Sequence, residues 1–135
     1  MSLEITRKAW KTIVAHARQD IPLEACGYLA GGSDGRVDSV YPLTNADASP
    51  EHFSFDPAEQ FQALRKVRGE GRKLHAVYHS HPLTPARPSA EDLRLAFDPT
   101  LSYVIVSLAG PEPVLRSFRI RKGEAEEEAV EVIDD

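Results

Sequence analysis

A glycine-rich turn between two apolar segments places the strongest limit on the fold of this 135-residue chain. The apolar residues 25–30 lead into Gly31-Gly32-Ser33-Asp34-Gly35, a run that supplies the positive φ angles of a tight hairpin, and residues 37–43 form a plausible returning strand. Before the hairpin, residues 7–18 carry apolar side chains at three- and four-residue spacing, which is typical of an amphipathic helix. A helix joined to a strand pair favours an α/β fold with a mixed sheet flanked by helices.

The rest of the chain continues this alternation of strands and helices. The alternating residues 52–55 predict a strand, and Asp56-Pro57 offers an N-cap and a first-turn proline for a helix that should reach about Gly69. Residues 74–81 predict a strand that Pro82 stops, and Ser89 begins another helix. Strands predicted at 101–108 and 114–121 flank a turn of glycine and prolines, so we expect them to pair as a hairpin.

Length and charge indicate one globular domain with an acidic end. A chain of 135 residues with 41% hydrophobic residues is ordinary for a single domain. The formal net charge of −5 is local, because residues 124–135 carry seven acids and no base, which leaves 16 bases against 14 acids elsewhere. We therefore divide the chain into a domain of residues 1–123 and an acidic C-terminal segment of residues 124–135.

The same composition argues against several partners. A nearly balanced body without a dense basic stripe gives no support for nucleic-acid binding. The longest apolar stretch, residues 101–110, has about half of the ~20 residues needed to span a bilayer, so we expect no membrane partner. The start Met1-Ser2-Leu3-Glu4 lacks the pattern of a secretory signal, and the single Cys26 cannot form an internal disulfide. Both features predict a cytoplasmic protein, in which Cys26 is a small buried residue, although a redox or ligand role stays conceivable.

Two histidines near the end of the predicted strand 74–81 are the first candidates for chemistry. His79 and His81 stand at i and i+2, so they project from one face of a strand about 6–7 Å apart and both rings can reach one metal ion. His75 shares that face but lies roughly 13 Å from His79, too far to share the ion. We also expect His16 and His52 to lie outside the site. A His-x-His pair is equally compatible with two exposed side chains that bind no metal.

A third candidate ligand lies at the start of the next predicted helix. In the segment Pro88-Ser89-Ala90-Glu91-Asp92, the helix start could bring the Asp92 carboxylate back toward the end of the strand. Two nitrogens and one oxygen suit zinc, and three protein ligands plus one water make the open tetrahedral site of catalytic zinc. The alternative is a capping box, in which Ser89 and Asp92 only satisfy backbone N–H groups at the helix start.

Glu24 and Ser89 are the candidate catalytic residues. Glu24 lies at a helix-to-strand junction, where its carboxylate could take a proton from a metal-activated water and deliver it to a leaving amine. The Ser89 hydroxyl could donate to the oxyanion of a tetrahedral intermediate, which is compatible only in part with a capping role. By base rates alone, Glu24 would be a surface glutamate that follows a helix.

Five positions resemble, in residue type and in order, the signature of the JAMM (Mov34/MPN/PAD-1) metallopeptidases: Glu24, His79, His81, Ser89 and Asp92. Ten residues separate the second histidine from the aspartate, as in that signature. Further similarity spans about residues 7–120 and includes the segments 21–27, 54–57, 103–107 and 115–120. The resemblance implies zinc bound by the two histidines and the aspartate, with the glutamate and the serine as catalytic residues.

The resemblance also implies a fold and a substrate class. The fold is similar to that of cytidine deaminases, a curved mixed β-sheet flanked by helices with zinc at its edge near the third helix. The activity is cleavage of a peptide or isopeptide bond after the Gly-Gly-type tail of a ubiquitin-like protein. The chain looks most like the short bacterial branch that releases cysteine from a ubiquitin-like sulfur-carrier protein, a step of cysteine biosynthesis. It lacks the two long insertions with which eukaryotic deubiquitinases grip ubiquitin.

Two alternatives to this peptidase belong to other functional classes. The first is a non-catalytic MPN-type scaffold for protein interactions, against which the complete ligand set weighs. The second is a zinc hydrolase that acts on another amide, such as a cell-wall peptide, against which the expected cytoplasmic location weighs.

Overall fold

The computed structural model describes residues 2–135, in which seven strands form one sheet and three helices pack on it. In chain order the elements are β1 (Ser2–Thr6), α1 (Arg7–Asp20), β2 (Cys26–Gly31), β3 (Val37–Leu43), α2 (Pro57–Gly69), β4 (Lys73–His81), α3 (Ala90–Leu95), β5 (Ser102–Ser107), β6 (Val114–Arg121) and β7 (Glu124–Ile133). The strand order is β1-β3-β2-β4-β5-β6-β7. Pairing is parallel between β4 and β5 and on both sides of β1, and antiparallel elsewhere. The predicted curved, mixed sheet with flanking helices is confirmed.

The curvature of the sheet is strong enough to close it into a barrel. Strand β1 pairs with β7 from Ser2 opposite Ala129 to Thr6 opposite Ile133, and it also pairs with β3 through Ile5 and Val37. The acidic segment that charge sets apart thus supplies β7 to the same sheet. The boundary at residue 123 stays a prediction.

Helix α1 lies inside the curve of the sheet, where it contacts β1, β3, β5 and β7. Thr6 caps its start, because the Thr6 hydroxyl oxygen accepts from the Ala9 N–H at 3.1 Å. Its apolar stripe, which predicted the helix, is buried through Ile13, Val14 and Ala17. Burial of such side chains stabilises the fold by about 1.5–3 kcal/mol for each large aliphatic residue.

Helix α2 packs on β3 and β4 from the other face of the sheet. Asp56 caps it as predicted, since its carboxylate accepts from the Glu59 N–H at 3.1 Å. Cys26 belongs to the apolar cluster beneath this helix and is fully buried, which raises the pKa of its thiol to about 12. The prediction of a buried packing role for Cys26 is confirmed.

The segment 52–55 is a loop, so the strand predicted there is wrong. Phe55 makes one isolated bridge with Asn45, next to which the Ala46 N–H donates to the Ser54 carbonyl at 2.9 Å, and the loop backbone also bonds to the Asn45 side chain. The Asn45 Oδ1 accepts from the Ser54 N–H at 3.4 Å, and its Nδ2 donates to the His52 carbonyl at 3.0 Å. Phe53 and Phe55 both pack on the cluster beneath α2, which explains the alternation in the sequence.

The remaining predicted elements are present. Strand β4 ends just before Pro82, and β5 and β6 pair as the expected hairpin with Tyr103 opposite Phe118. Within residues 2–135, no helix has the length and apolar character needed to cross a bilayer.

Candidate metal centre

Strand β4 and helix α3 bring three potential metal ligands together. The Nε2 atoms of His79 and His81 lie 3.1 Å apart, and the Asp92 Oδ2 atom lies 3.2 and 3.3 Å from them. Ligands placed about 2.0–2.1 Å from zinc at the corners of a tetrahedron are about 3.3 Å apart, so these three atoms fit three corners of such a site. In the part of the chain that the structure describes, this is the group of three acidic, histidine or cysteine side chains close enough to share an ion.

The two histidine rings are held by different contacts. The His81 Nδ1 lies 2.8 Å from the Pro85 carbonyl oxygen, which can only accept, so this nitrogen carries the proton and Nε2 offers its lone pair to a metal. The His79 ring stacks on Phe53, with 4.7 Å between ring centroids and an interplanar angle of 27°. Both rings are therefore orientated before any ion binds.

Asp92 serves as a helix cap and as a candidate ligand at the same time. Its Oδ2 accepts from the Ser89 N–H at 2.8 Å, and the Ser89 hydroxyl oxygen accepts from the Asp92 N–H at 3.0 Å, which completes a capping box. The same Oδ2 faces both histidines. The two interpretations of this segment are therefore compatible, because the box fixes the carboxylate where the ligand is needed.

The pKa directions suit a donor set for a dication. Burial lowers the pKa of His79, which keeps this ring neutral. Burial, the largest single effect, also lowers the pKa of His81, but the hydrogen bonds to Asp92 and the Pro85 carbonyl and the nearby carboxylates of Asp92 and Glu24 together raise it. Burial would raise the pKa of Asp92, yet hydrogen bonds from His79 and His81 hold it well below its usual value. An ionised carboxylate beside two imidazoles attracts a cation, which then competes with the proton on His81.

Glu24 lies across from His81 at the start of β2. Strand β2 runs antiparallel to β4 with Cys26 opposite His79, and the Ser80 N–H donates to the Ala25 carbonyl at 2.9 Å, so the register places Glu24 beside His81. Only 3% of Glu24 is exposed, so the alternative of a surface glutamate is wrong.

The surroundings of the Glu24 carboxylate bring its pKa close to neutral pH. Its Oε1 is buried and has no hydrogen-bond partner in the described part of the chain. Burial raises the pKa of Glu24 to about 7, against a smaller lowering effect of His81. An unsatisfied buried oxygen beside three converging ligands fits a site that holds a metal and its water, and a pKa near 7 suits a general base.

A cavity of about 500 Å³ adjoins the ligands, with His79 and Asp92 in its wall. Most of the wall is apolar and comes from the sheet face opposite α1 and from the end of α3. Its aromatic side chains are those of Tyr28, Phe53, Phe55, Phe97 and Tyr103. Phe97 is 81% exposed, so the cavity opens to the surface beside an apolar side chain.

The other histidines lie apart from the three ligands. His75 Nε2 lies 2.8 Å from the Gly32 carbonyl, and His16 Nδ1 lies 2.7 Å from the Tyr78 hydroxyl on the face of α1. His52 is bound through Nδ1 to Asp47 at 2.8 Å, in the loop next to Glu24. Each ring therefore has a hydrogen-bonding partner of its own outside the ligand triangle.

The sequence did not reveal the residues that hold the site in place. Phe53 and the Pro85 carbonyl support the histidines, while Ser80 and Asn45 bind the backbone around Glu24. Ser80 could have been suspected, because a polar residue between two ligands of a strand points to the opposite, buried face. Asn45 carries no comparable signal, since its partners come from distant parts of the chain.

The fold, with three potential metal ligands beside a buried glutamate, has the arrangement of a hydrolase site, and comparison with known families gives the particular kind. The family model Prok-JAB, which describes prokaryotic homologs of the JAB domain, matches residues 6–121. The chain belongs to this family.

Similar proteins agree with this assignment. A CysO-cysteine peptidase from Mycobacterium tuberculosis is 44% identical over 125 residues, which cover 90% of this chain and 85% of the relative. A desampylase from Haloferax volcanii is 37% identical over 114 residues, which cover 80% of this chain and 82% of the relative.

Solved structures show the same fold. The solution structure of a protein from Desulfitobacterium hafniense matches with a TM-score of 0.91 and 52% identity, and the match covers 100% of this chain and 94% of the other. A structure described as a metalloprotease-like JAMM zinc site of the proteasome and signalosome has a TM-score of 0.58 and 27% identity, with 96% and 98% covered. The predicted JAMM membership and the predicted hydrolase class are confirmed.

Proposed function

We propose that the chain is a zinc-dependent peptidase that hydrolyses the amide bond after the C-terminal tail of a ubiquitin-like or sulfur-carrier protein and releases cysteine. The observation that carries the proposal is the 3.1–3.3 Å triangle of His79, His81 and Asp92 ligand atoms next to the buried Glu24 carboxylate. The mycobacterial relative, a CysO-cysteine peptidase, supports the substrate class.

His79, His81 and Asp92 would hold the zinc through two nitrogens and one oxygen. Such a set leaves a fourth position open, which is the arrangement of catalytic rather than structural zinc. When bound, zinc lowers the pKa of water and polarises a carbonyl group. The Pro85 carbonyl and the Ser89 N–H fix the orientation of two of these ligands from behind.

Glu24 would move the proton during hydrolysis. Its carboxylate accepts a proton from the attacking water, whose hydroxyl joins the carbonyl carbon, and returns that proton to the nitrogen as the C–N bond breaks. The leaving cysteine departs as a neutral amine. A pKa of about 7 makes the carboxylate able to accept and to give the proton near neutral pH.

Ser89 would stabilise the charge that develops on the carbonyl oxygen. Its hydroxyl oxygen already accepts from the Asp92 N–H at 3.0 Å, so its own hydrogen is free to donate. Loss of one such donor typically raises the barrier by about 3 kcal/mol.

The cavity beside the ligands would receive the tail of the carrier. It offers about 500 Å³ next to His79 and Asp92, and its mouth carries the exposed Phe97. A Gly-Gly-type tail lies extended without side chains that clash, so its last carbonyl reaches the ligands while the folded carrier stays outside.

A second candidate substrate is an isopeptide conjugate, which the desampylase relative favours. Both reactions attack the same carbonyl of the tail and differ in the amine that leaves. The experiment below therefore compares the two conjugates.

We predict that the zinc-loaded protein releases free cysteine from a carrier-cysteine conjugate and that Glu24→Gln lowers kcat by about 10²–10⁴-fold. Mass spectrometry of the carrier and quantification of cysteine measure the reaction, with a carrier joined to a lysine side chain as the second substrate. The control variant Glu51→Gln carries the same substitution at an exposed glutamate of the neighbouring loop and should retain kcat.

Cleavage that persists in the Glu24→Gln protein, or after chelation of the metal, contradicts the mechanism. If only the isopeptide conjugate is cleaved, the result contradicts cysteine release and supports the second candidate substrate. A wild-type protein that contains zinc but cleaves neither conjugate favours the scaffold alternative.

A further inference from the structure

The Asn45 side chain is buried between the start of β2 and the loop of residues 46–54, with 6% of the residue exposed. Its Nδ2 has two hydrogens that are shared among three carbonyl oxygens within hydrogen-bonding distance, those of Glu24 at 3.1 Å, His52 at 3.0 Å and Ser49 at 3.3 Å. One amide nitrogen therefore ties the backbone of the candidate base to two points of the loop.

The oxygen of the same side chain organises the loop. The Asn45 Oδ1 accepts from the Asp47 N–H at 3.0 Å and from the Ser54 N–H at 3.4 Å. Asp47 in turn accepts from the Ser54 hydroxyl at 2.7 Å. The loop thus has a fixed shape, and the amide that fixes it cannot shift without breaking several bonds.

The peptide group between Glu24 and Ala25 is held at both ends. Its oxygen accepts from the Asn45 Nδ2, and its N–H donates to the Ser80 hydroxyl oxygen at 2.8 Å in the buried interior. The Glu24 N–H also donates to the Ser49 carbonyl at 2.9 Å. The backbone of Glu24 is therefore clamped between the loop and the strand that carries the two histidines.

The carboxylate of Glu24 has no such anchor at its Oε1, which is buried without a hydrogen-bond partner. Its position relative to His81 consequently depends on the backbone from which it extends and on packing. From this geometry we infer that Asn45 is a positioning residue, which holds the Glu24 backbone so that the carboxylate meets the attacking water. The inference rests on the proposed function and adds a residue to it.

The expected effect follows from the demands of proton transfer. A general base has to lie within about 2.6–3.2 Å of the proton it takes, and an error of about 1 Å in such placement costs about 10²-fold in rate. Removal of the Asn45 amide leaves the buried Glu24 carbonyl without its donor, so this peptide group reorients toward another partner. Within residues 2–135, no hydrogen bond joins Asn45 to His79, His81 or Asp92, so we expect zinc binding to persist.

The test uses the full-length, zinc-loaded protein with Asn45→Ala and Asn45→Asp, the second of which keeps the size and the acceptor but loses the donors. The matched control is Ser117→Ala on strand β6. It removes a buried hydroxyl that donates to the Glu128 carboxylate at 2.7 Å. We expect kcat for the carrier-cysteine conjugate to fall by about 10- to 100-fold in the Asn45 variants, with KM and zinc per chain within about twofold of wild type. Ser117→Ala should keep the wild-type kcat whatever its loss of thermal stability.

Wild-type kcat in a folded Asn45 variant, or an equal fall of kcat in Ser117→Ala, overturns the inference. Absence of cleavage by the wild-type protein contradicts the proposed function instead. The inference is then decided by crystal structures of zinc-loaded Asn45→Asp and Ser117→Ala. A Glu24 carboxylate displaced by about 1 Å or more from its wild-type position in the first variant alone supports it, and an unmoved carboxylate overturns it.

Discussion

The buried Glu24 carboxylate lowers the stability of the folded protein when it is ionised. This carboxylate is buried beside His81 and Asp92, and Oε1 finds no donor among residues 2–135. Burial of an unpaired carboxylate is unfavourable, and the group responds with a raised pKa. The same feature that makes the residue a candidate base therefore destabilises the metal-free protein when the carboxyl ionises.

We predict that Glu24→Gln stabilises the metal-free protein increasingly as the pH rises. The pKa of Glu24 is about 7 in the folded protein and 4.5 in the unfolded chain. Between pH 4.5 and about 7 the unfolded chain is therefore ionised while the folded protein keeps its proton, so the free energy of unfolding of the wild type falls as the pH rises. Above pH 7 the difference from 4.5 to about 7 corresponds to about 3 kcal/mol, which the glutamine avoids. Below about pH 4.5 both states are protonated and this contribution vanishes.

Urea unfolding of the chelated wild-type and Glu24→Gln proteins, from about pH 4 to about pH 8, measures this effect. A difference in unfolding free energy that does not change across this range would show that the carboxyl titrates normally. Glu51→Gln, at an exposed position, serves as the reference for the loss of one ordinary carboxylate.

For single residues, the sequence predicted the candidate ligands that the structure brings together, but not the residues that hold them in place. His79 and His81 share a face because of strand periodicity, and Asp92 stands where a helix start turns back, so local rules predicted their meeting. Asn45 reaches Glu24 only through the closed fold, 21 positions away in sequence. No local rule predicts such a contact.

Helix α3 is the element on which the third ligand depends, and it is short. It has six residues, none of which is fully buried, and it packs through the partly buried Leu93 on the cluster of Ile105, Phe118 and Ile120, so its packing is limited. The capping box of Ser89 and Asp92 holds its first turn. Ser89 therefore has two separable functions, as the cap that places Asp92 and as the proposed donor to the substrate oxygen.

We predict that Ser89→Gly lowers kcat by about 10²-fold while zinc remains bound. Glycine at an N-cap costs only a few tenths of a kcal/mol relative to serine, so the helix start and Asp92 should stay in place while the hydroxyl is lost. Steady-state kinetics and elemental analysis check this, with Ser89→Thr as the control that keeps both functions. Wild-type kcat in Ser89→Gly would show that the hydroxyl acts as a cap alone.

Elements with a strong local pattern were predicted close to their true bounds, and those defined by pairing were not. The helix predicted at 7–18 is α1 (Arg7–Asp20), and the strands predicted at 37–43 and 114–121 are β3 and β6. The alternation at 52–55 misled because its aromatic residues pack from a loop. Strand β1 has only five residues, and it is defined by its partners rather than by its length.

The closure of the barrel depends on β7, which lies in the acidic segment that the charge pattern separates from the rest of the chain. Strand β7 closes the barrel, and its Glu128 is buried, with Oε2 accepting from the Ser102 and Ser117 hydroxyls at 2.5 and 2.7 Å. Arg119 pairs with the other oxygen at 3.4 Å. Composition averages over such a segment, so an acidic run can hide one glutamate that belongs to the interior.

Strand pairing holds the candidate metal centre in place. Strand β4, which carries both histidines, lies in the middle of the sheet and is paired with β2 on one side and β5 on the other. The ligand triangle is therefore part of a rigid frame, with α3 as its one weakly held side. A preformed triangle binds an ion without reorganisation of the fold.

Anomalous diffraction at the zinc edge tests directly the proposal that His79, His81 and Asp92 bind one zinc ion. Crystals of the protein with one equivalent of zinc should show a single peak about 2.0–2.2 Å from both Nε2 atoms and from the Asp92 Oδ2. The peak should disappear in His79→Ala. A zinc peak at another position, or a peak that stays at these ligands in His79→Ala, would contradict the proposed site.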